Sequence, residues 1–262
     1  MAEQQIRFDD GAAYERMMGV WSRLAGEIFL DWLAPRKDLR WIDVGCGNGA
    51  FTELVVARNA PAEVEGIDPS DGQLAYARTR PGVAMAEFRN GDAMALPFQD
   101  GTFDVAVMAL VIFFVPEPAK GVAEMVRVVA PGGTVAAYAW DFPGGGFPLE
   151  PIQTELEAMG MTRVLPPSAG ASKVEALQKL WKDAGLVDVE TRRIDVQRSF
   201  VDFDDFWTAA TLAPTLGALF ASMTSDDVAR IKTRVRGYLK EDGTGRVTYG
   251  AWANAIKGRV SG

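Results

Sequence analysis

A glycine-rich turn in the stretch WIDVGCGNGAFTE, residues 41–53, is the part of this sequence whose residue types and spacing could bind a charged small molecule. Glycine stands at alternate positions, directly after a short apolar run that is typical of a buried parallel strand. Because a helix N-terminus presents free backbone N–H groups and glycine lets a ligand approach the backbone, the turn predicts a site for a nucleoside-containing cofactor. Gly45, Gly47 and Ala50 also satisfy the dinucleotide pattern G-x-G-x-x-G/A, so the turn alone leaves the kind of cofactor open.

Two aspartates follow predicted strands and could bind the same cofactor. Asp68 lies 19 residues after the last glycine of the turn, where a carboxylate can accept hydrogen bonds from ribose hydroxyls. Asp92 ends the next strand, where a carboxylate can accept from an adenine amine while the Ala93 N–H donates to a ring nitrogen. A turn or helix-capping role is the alternative for each aspartate. Because the carboxyl ends of parallel strands line one crevice, we expect the turn, both aspartates and Leu110 along one edge of the sheet.

The elements that must position these residues alternate between strand and helix over residues 40–140, which predicts a parallel sheet with helices on both faces. Glycine and proline are frequent after residue 140, and helical and strand patterns return further on. A tight turn is expected at residues 131–133 and one helical stretch over residues 200–220. The expected strands are 40–44, 64–67, 84–88, 103–110, 134–140, 187–197 and one that begins at 246–252.

Composition excludes several classes of function. The sequence has no histidine, which removes any His–Asp dyad and any zinc site that needs histidine, and we expect no metal. The net charge of −8 disfavours a general nucleic-acid binder. A basic run over residues 230–240 is interpreted as a solvated helix face, with an RNA or anion contact as the alternative.

The sequence also predicts the compartment. Cys46 is the only cysteine, so no intramolecular disulfide can form, and we interpret it as a small apolar filler. The N-terminal residues lack the basic start and apolar run of a signal peptide. The longest apolar run, residues 105–115, is shorter than the ~20 residues that span a bilayer. We therefore expect a cytoplasmic protein without a membrane partner.

Five motifs in order carry a resemblance to a known family: IDVGCGNG, GIDPS, GDAMALPF, FDVAVMALVIFFV and RVVAPGGTVAAYAW. Together, over about residues 40–140, they resemble the class I S-adenosylmethionine-dependent methyltransferases, and especially the branch with the ubiquinone- and menaquinone-pathway C-methyltransferases. The resemblance implies S-adenosylmethionine as cofactor and S-adenosylhomocysteine as product. It also implies an α/β, Rossmann-like, doubly wound sheet of seven strands whose last strand is antiparallel, with N-terminal helices and a small helical cap.

The resemblance assigns roles to individual residues. The glycine turn would hold the methionine part of the cofactor, Asp68 the ribose, and the segment after the third strand the adenine edge, while residues 108–111 would lie near the sulfonium. Many relatives have histidine just after strand four, where this chain has Phe113 and Phe114, so a histidine-dependent role is absent here. The cofactor-binding residues that we predict are Asp43, Gly45, Cys46, Gly47, Gly49, Asp68, Pro69, Asp92, Ala93 and Leu110.

The expected acceptor is a small molecule that is partly apolar or aromatic, methylated on carbon or oxygen by in-line displacement. Aromatic residues near strand ends suit such a ligand, although aromatic residues at helical spacing are also typical of a core. Tyr138 and Asp141 are candidates for a base, with structural roles as the alternative, and no catalytic residue is assigned. The predicted substrate-side residues are Tyr14, Trp21, Phe113, Phe114 and Trp140.

We expect a single methyltransferase domain over residues 1–262. Its predicted parts are N-terminal helices (1–39), a cofactor-binding core (40–140), substrate-side loops and a helical cap (141–172 and 198–244), and a C-terminal helix and strands that complete the sheet (173–197 and 245–262). The sequence does not predict the oligomeric state.

Two other functions are compatible with the glycine turn. A non-catalytic S-adenosylmethionine- or S-adenosylhomocysteine-binding protein would carry the same motifs. An NAD(P)-dependent oxidoreductase would explain the turn and Asp68, but it explains neither GDAMALPF nor RVVAPGG. None of the five tyrosines has a lysine four residues later, as the short-chain enzymes require.

Overall fold

The computed structural model describes residues 15–262, and its centre is a seven-stranded sheet with the order 3-2-1-4-5-7-6. Strands 1 to 5 are parallel, whereas strand 7 pairs antiparallel with strands 5 and 6. The predicted α/β sheet with an antiparallel last strand is therefore confirmed. The strands are β1 (Arg40–Val44), β2 (Glu63–Asp68), β3 (Ala86–Asn90), β4 (Phe103–Ala109), β5 (Val129–Trp140), β6 (Val187–Phe200) and β7 (Val247–Arg259).

Helices precede the sheet, connect its strands and form a group after β6. A five-residue π-helix, Glu15–Gly19, leads directly into the first α-helix. Short 3₁₀ turns lie at Pro81–Val83, Ile112–Phe114 and Ala169–Ser172. The α-helices are α1 (Val20–Leu33), α2 (Ala50–Asn59), α3 (Asp71–Ala77), α4 (Pro118–Val128), α5 (Glu150–Ala158), α6 (Val174–Asp183), α7 (Phe203–Thr211), α8 (Pro214–Ser222) and α9 (Ser225–Tyr238).

The central strands are apolar because helices cover both of their faces. In β1 and β4 the side chains of Ile42, Val44, Ala106 and Val107 are fully buried, which is the burial expected of an inner parallel strand. β2 lies on one side of β1 and β4 on the other, so the direction of winding reverses between β1 and β4. In a doubly wound sheet that reversal opens a crevice at the carboxyl ends of the strands.

Several predicted boundaries were wrong. β3 begins two residues later than expected, because Pro81–Val83 forms a 3₁₀ turn before it. β5 begins at Val129, since the predicted tight turn is a bulge within the strand: Phe103 pairs with Val129 and Val105 with Thr134. β7 continues to Arg259 because it pairs along both β5 and β6. The stretch 200–220 contains two helices, and proline begins the second.

The basic run of α9 forms ion pairs with carboxylates of the same chain. Arg230 lies 3.6 Å from Asp227 on the same helix. Lys232, Arg234 and Arg236 each lie within 3.3 Å of a carboxylate. Their partners are Asp204, Glu155 and Glu241.

No helix within residues 15–262 has both the length and the apolar character needed to cross a bilayer. The cytoplasmic location and the extent of the single domain stay predictions.

Candidate functional site

A cavity of about 1580 Å³ opens at the carboxyl ends of β1, β2, β4 and β5. It exceeds the roughly 300–1,000 Å³ that a single small-molecule ligand usually fills, so two ligands can lie in it side by side. Most of the predicted site residues meet there, from segments far apart in the sequence. Those that line the cavity are Asp43, Gly45, Cys46, Gly47, Asp68, Pro69, Asp92, Ala93, Leu110, Phe113, Phe114, Tyr138 and Trp140.

The three glycines of the turn have left-handed backbones but different surroundings. A Cβ on Gly45 would lie 2.6 Å from Val111 Cγ2, and one on Gly49 would lie 2.9 Å from Ala77 Cβ. A Cβ on Gly47 would meet no atom within 4 Å. Gly45 and Gly49 therefore allow close packing, although Gly49 does not line the cavity. Gly47 instead leaves open space where a ligand can approach the backbone.

The backbone N–H groups of the turn are mostly engaged within the protein. Gly45 and Cys46 both donate to the Ile67 carbonyl, at 2.7 and 2.9 Å. The Gly47 N–H donates to Asp68 Oδ2 at 2.9 Å. These three residues precede α2, so their N–H groups are not the free groups predicted at the helix N-terminus, and the end of β2 accepts them.

Asp68 holds two segments together at the cavity. Besides accepting from Gly47, its carboxylate accepts from the Ser70 N–H at 2.9 Å, and Ser70 caps α3. Burial raises the pKa of Asp68, and the two backbone donors oppose that rise. Each carboxylate oxygen has a second lone pair, so Asp68 can still accept from a ligand hydroxyl.

Two buried oxygens at the cavity have no hydrogen-bond partner among the described residues. Asp43 accepts from Thr52 Oγ1 at 2.7 Å with one carboxylate oxygen, but its Oδ1 is unpaired. Ser22 Oγ, on α1, is the other. Burial raises the pKa of Asp43 to about 7. Both oxygens suit a ligand that carries N–H donors, such as an ammonium group.

Cys46 lines the cavity and also belongs to a small apolar cluster. It is 6% exposed and packs with Leu74, Val83 and Phe88. Burial and the neighbouring carboxylates raise the pKa of its thiol. These surroundings agree with its interpretation as an apolar filler.

The segment after β3 forms a more exposed part of the cavity wall. Asp92 is exposed, and its Oδ1 accepts from the Met94 N–H at 2.8 Å. The Asn90 side chain donates to the Pro69 carbonyl at 3.1 Å and to Asp71 at 2.9 Å. β3 and the start of α3 are therefore joined beside the cavity, where an adenine edge is predicted.

Leu110 directly follows β4 and has an unusual backbone conformation. Its φ of 62° lies in the left-handed region, which costs a non-glycine residue of order 1–3 kcal/mol. The Leu110 N–H donates to the Tyr138 carbonyl at 2.8 Å, and its side chain is 6% exposed. This turn directs the chain so that Val111 packs on Gly45.

The other half of the cavity is lined mainly by aromatic and aliphatic side chains. Phe142 stacks on Phe147 at 4.7 Å between ring centroids and meets Phe113 edge-on at 4.9 Å. Further apolar lining comes from the segment 164–167 and from α8. A flat apolar ligand would find ring faces and edges there.

The Arg163 cation on this half is paired within the protein. The Arg163 guanidinium donates twice to Glu150 and twice to Glu157, at 2.8–3.0 Å. Gln153 also lines the cavity, and no hydrogen bond of its side chain to another described residue is found. The arrangement favours an uncharged ligand with an oxygen that an amide can orient.

Three predicted site residues do not reach the cavity, and one cannot be assessed. Trp21 packs instead against Phe200 and Tyr249. Asp141 accepts from the Gly144 N–H at 2.9 Å and from Trp252 Nε1 at 3.4 Å, so it stabilises the loop after β5. Gly49 packs on α3, and Tyr14 lies outside the described residues.

Sequence reasoning expected the N-terminal segment to contribute to the site, through Tyr14 and Trp21, but it missed Met17 and Ser22. Met17 and Met18 are 3% and 5% exposed and line the cavity together with Ser22. The apolar spacing of this segment identified a buried face, but it did not identify which residues of that face end at the cavity. Within residues 15–262, no cluster of three acidic or cysteine side chains could hold a metal ion.

The cavity joins a glycine turn, carboxylates at strand ends and an aromatic wall on a seven-stranded sheet, and comparisons with known proteins identify the family. A model described as a methyltransferase domain matches residues 42–137. The demethylmenaquinone methyltransferase of Clavibacter sepedonicus is 30% identical over 62% of this chain and 71% of its own. The ubiquinone/menaquinone biosynthesis C-methyltransferase UbiE of Roseobacter denitrificans is 37% identical over 42% of this chain and 46% of its own. The chain belongs to the class I S-adenosylmethionine-dependent methyltransferases of the ubiquinone/menaquinone-biosynthesis type, as its motifs predicted.

Solved structures share the fold. The YcgJ protein of Bacillus subtilis has a TM-score of 0.61 at 17% identity and covers 91% of this chain and 98% of its own. Phosphoethanolamine N-methyltransferase 2 of Haemonchus contortus, in complex with S-adenosyl-L-methionine, has a TM-score of 0.60 at 17% identity and covers 99% of this chain and 59% of its own. The chain spans about half the length of several curated relatives that it matches, from 42% to 59%.

Proposed function

We propose that the protein transfers a methyl group from S-adenosylmethionine to a small, uncharged, partly aromatic acceptor. The observation that carries the proposal is one cavity with a polar half at the glycine turn and an aromatic half after β5. Relatives named as ubiquinone/menaquinone C-methyltransferases and demethylmenaquinone methyltransferases support a quinone-type acceptor methylated on carbon. An acceptor methylated on oxygen is the second possibility that this cavity accommodates.

The cofactor belongs in the polar half. S-adenosylmethionine supplies a methyl group that is already activated on a sulfonium. The unpaired Asp43 Oδ1 suits its ammonium group, and the open face of Gly47 leaves room for its chain. We assign Asp68 to the ribose, and Pro69, Asp92 and Ala93 to the adenine, because they line the adjoining wall.

The residues of the chain act mainly by holding the two ligands and excluding water. Positioning of two reactants can lower a barrier by roughly 7–11 kcal/mol. Tyr138 lines the cavity and is 1% exposed, and it is the candidate base that we favour, since Asp141 does not line the cavity. An acceptor whose own hydroxyl groups activate a ring carbon would need no base from the protein.

The acceptor belongs between the aromatic rings. Phe113, Phe142 and Phe147 would contact its ring, and Gln153 would orient one of its oxygens. Because Arg163 is engaged with two glutamates, it is not free to pair with an anionic acceptor. An uncharged hydroquinone fits these surroundings best.

The test is transfer of a radiolabelled methyl group from S-adenosylmethionine to 1,4-dihydroxynaphthalene. We expect labelled product, and a much lower rate with 1,4-dihydroxy-2-naphthoate, which carries a carboxylate. Preference for the carboxylate would contradict the acceptor class. Binding of S-adenosylhomocysteine without transfer to any hydroquinone, phenol or enol would instead favour a non-catalytic binding protein. The oxidoreductase alternative has no support from the family assignment.

A further inference from the structure

Arg80 lies behind the glycine turn, and its guanidinium connects several elements. Its side chain is only 9% exposed. It donates through Nε to the Asn48 carbonyl at 2.6 Å and through a terminal nitrogen to Glu53 Oε2 at 2.9 Å. Its other terminal nitrogen donates to Glu15 Oε2. We call Glu15, Asn48, Glu53 and Arg80 the Arg80 cluster.

The cluster holds Asn48, within the glycine turn, through both its backbone and its side chain. Asn48 is 3% exposed and lies between Gly47 and Gly49. Its side-chain amide donates to Glu15 Oε2 at 3.1 Å, and its Oδ1 accepts from the Ala50 N–H at 3.2 Å. The backbone and the side chain of Asn48 are therefore both fixed by polar contacts.

Glu15 brings the N-terminal π-helix into the same cluster. Its carboxylate lies across Gly19, where a Cβ would come within 2.6 Å of Glu15 Cδ. The same π-helix presents Met17 and Met18 to the cavity. A π-helical turn is rare and is frequently found at functional sites. The contact with Arg80 therefore fixes the wall that these methionines form.

The charges of the cluster depend on one another. Arg80 lies between two glutamates, and Arg23 lies 3.7 Å from Glu53 as a second, more exposed cation. Removing the guanidinium would leave Glu15 without its cation and the Asn48 carbonyl without its donor. The π-helix would then be held to the turn only by the hydrogen bond from Asn48 to Glu15, so its attachment would be weaker.

We infer that Arg80 is a positioning residue for cofactor retention: through Glu15 and Asn48 it holds the N-terminal π-helix against the glycine turn, so that Met17 and Met18 close the cofactor half of the cavity. This inference rests on the proposed function, since it takes S-adenosylmethionine as the ligand of that half. Arg80 itself does not line the cavity, and it acts through the residues that do.

The test compares Arg80→Gln, Glu15→Gln and the double variant with Arg58→Gln. Arg58 is the matched control because it is an arginine that joins two elements away from the glycine turn. It lies on α2 and donates to two residues of α1, to Asp31 at 2.6 Å and to the Glu27 carbonyl at 3.2 Å. The dissociation constant and dissociation rate of S-adenosylhomocysteine are measured together with the melting temperature.

Arg80→Gln should weaken binding at least about tenfold, mainly through faster dissociation, and Glu15→Gln about threefold or more. The effects of the two changes should be less than additive in the double variant, because both changes break the contact between Arg80 and Glu15. Arg58→Gln should stay within about twofold of the wild type. Arg80→Lys should not restore binding, since an ammonium cannot make the three directed contacts.

Binding of S-adenosylhomocysteine by folded Arg80→Gln or Glu15→Gln within about twofold of the wild type would overturn the inference. If Arg80→Gln does not fold, Glu15→Gln carries the test, because its side chain is 32% exposed. Amide hydrogen exchange without ligand separates this result from a failure of the proposed function. Broken contacts should speed exchange in residues 15–19 and 45–50 together, and a change in only one segment, or in neither, would contradict the inference.

Discussion

The cofactor half of the cavity is built from backbone turns at the ends of β1, β2 and β3, whereas the acceptor half is built from side chains of loops and helices that follow β4 and β5. In the first half, glycines and aspartates hold one another through N–H donors, as Gly47 and Asp68 do. In the second, rings such as Phe142 and Phe147 pack through their faces and edges. A backbone turn tolerates few substitutions, whereas packed aromatic side chains can rearrange around a substitution. We therefore expect substitutions in the cofactor half to have the larger effects.

The largest expected effect is a dependence on pH through Asp43. Burial raises its pKa in the folded protein to about 7, so the folded state holds this proton more tightly than the unfolded state does. Protonated Asp43 contributes its full stabilisation of the folded state below the unfolded pKa of 3.8. This contribution is lost as the pH rises through the folded pKa of about 7. Relative to the wild type, Asp43→Asn should therefore gain about 3–4 kcal/mol in free energy of unfolding between pH 4 and pH 8 without ligand.

Urea unfolding at several pH values measures this difference. Folding lowers the pKa of other carboxylates, such as Asp104 and Glu124. These carboxylates are present in both wild type and variant, so their effects on stability cancel in the comparison. A constant difference between wild type and variant across this pH range would show that Asp43 is ionised throughout.

The next effect separates two glycines of the same turn. Gly45→Ala should lower the free energy of unfolding by about 3 kcal/mol or more, since it combines left-handed strain with overlap on Val111. Gly47→Ala has strain but no overlap, so it should cost about 1 kcal/mol while placing a methyl group where the ligand approaches. Chemical denaturation and S-adenosylhomocysteine titration measure the two quantities. Equal destabilisation by both variants would contradict the distinction between packing and binding.

Asp68→Ala should weaken S-adenosylhomocysteine binding at least tenfold, about 1.4 kcal/mol. The change removes the acceptor for the Gly47 and Ser70 N–H groups as well as the predicted ribose contact. Calorimetric titration of the folded variant gives the affinity. Wild-type affinity would remove Asp68 from the cofactor site.

The smallest expected effect lies in the acceptor half. Phe147→Leu should raise the KM for 1,4-dihydroxynaphthalene by about three- to tenfold, since an aromatic pair contributes about 0.5–1.5 kcal/mol. Its affinity for S-adenosylhomocysteine should not change. Phe98→Leu is the control, because Phe98 packs edge-on against Phe103 outside the cavity. A weaker cofactor affinity in Phe147→Leu would mean that the two halves are not separate.

The same contrast explains what the sequence could predict. The cofactor half follows from short motifs at strand ends, where residue type and position determine geometry, and Asp43, Asp68 and Asp92 all line the cavity as expected. The acceptor half depends on side-chain direction, which spacing does not determine. Trp21 and Met18 lie on one helical segment, yet only Met18 reaches the cavity, and Asp141 points into its own loop.

Long-range contacts were also beyond the sequence. The full length of β7 is determined by pairing with β5 and β6, not by its own residues. The contact of Arg80 with Glu15 joins residues 65 positions apart. Neither residue stands out in the sequence, because charged residues at turns and helix ends usually face solvent.

The most direct test of the central claim is a parallel calorimetric titration of the wild-type protein with S-adenosylmethionine, S-adenosylhomocysteine, NAD and NADP. The account predicts micromolar binding of both adenosyl compounds and no binding of either nicotinamide compound. Binding of NAD or NADP alone, or of none of the four, would contradict the assignment of the glycine turn and its carboxylates to S-adenosylmethionine.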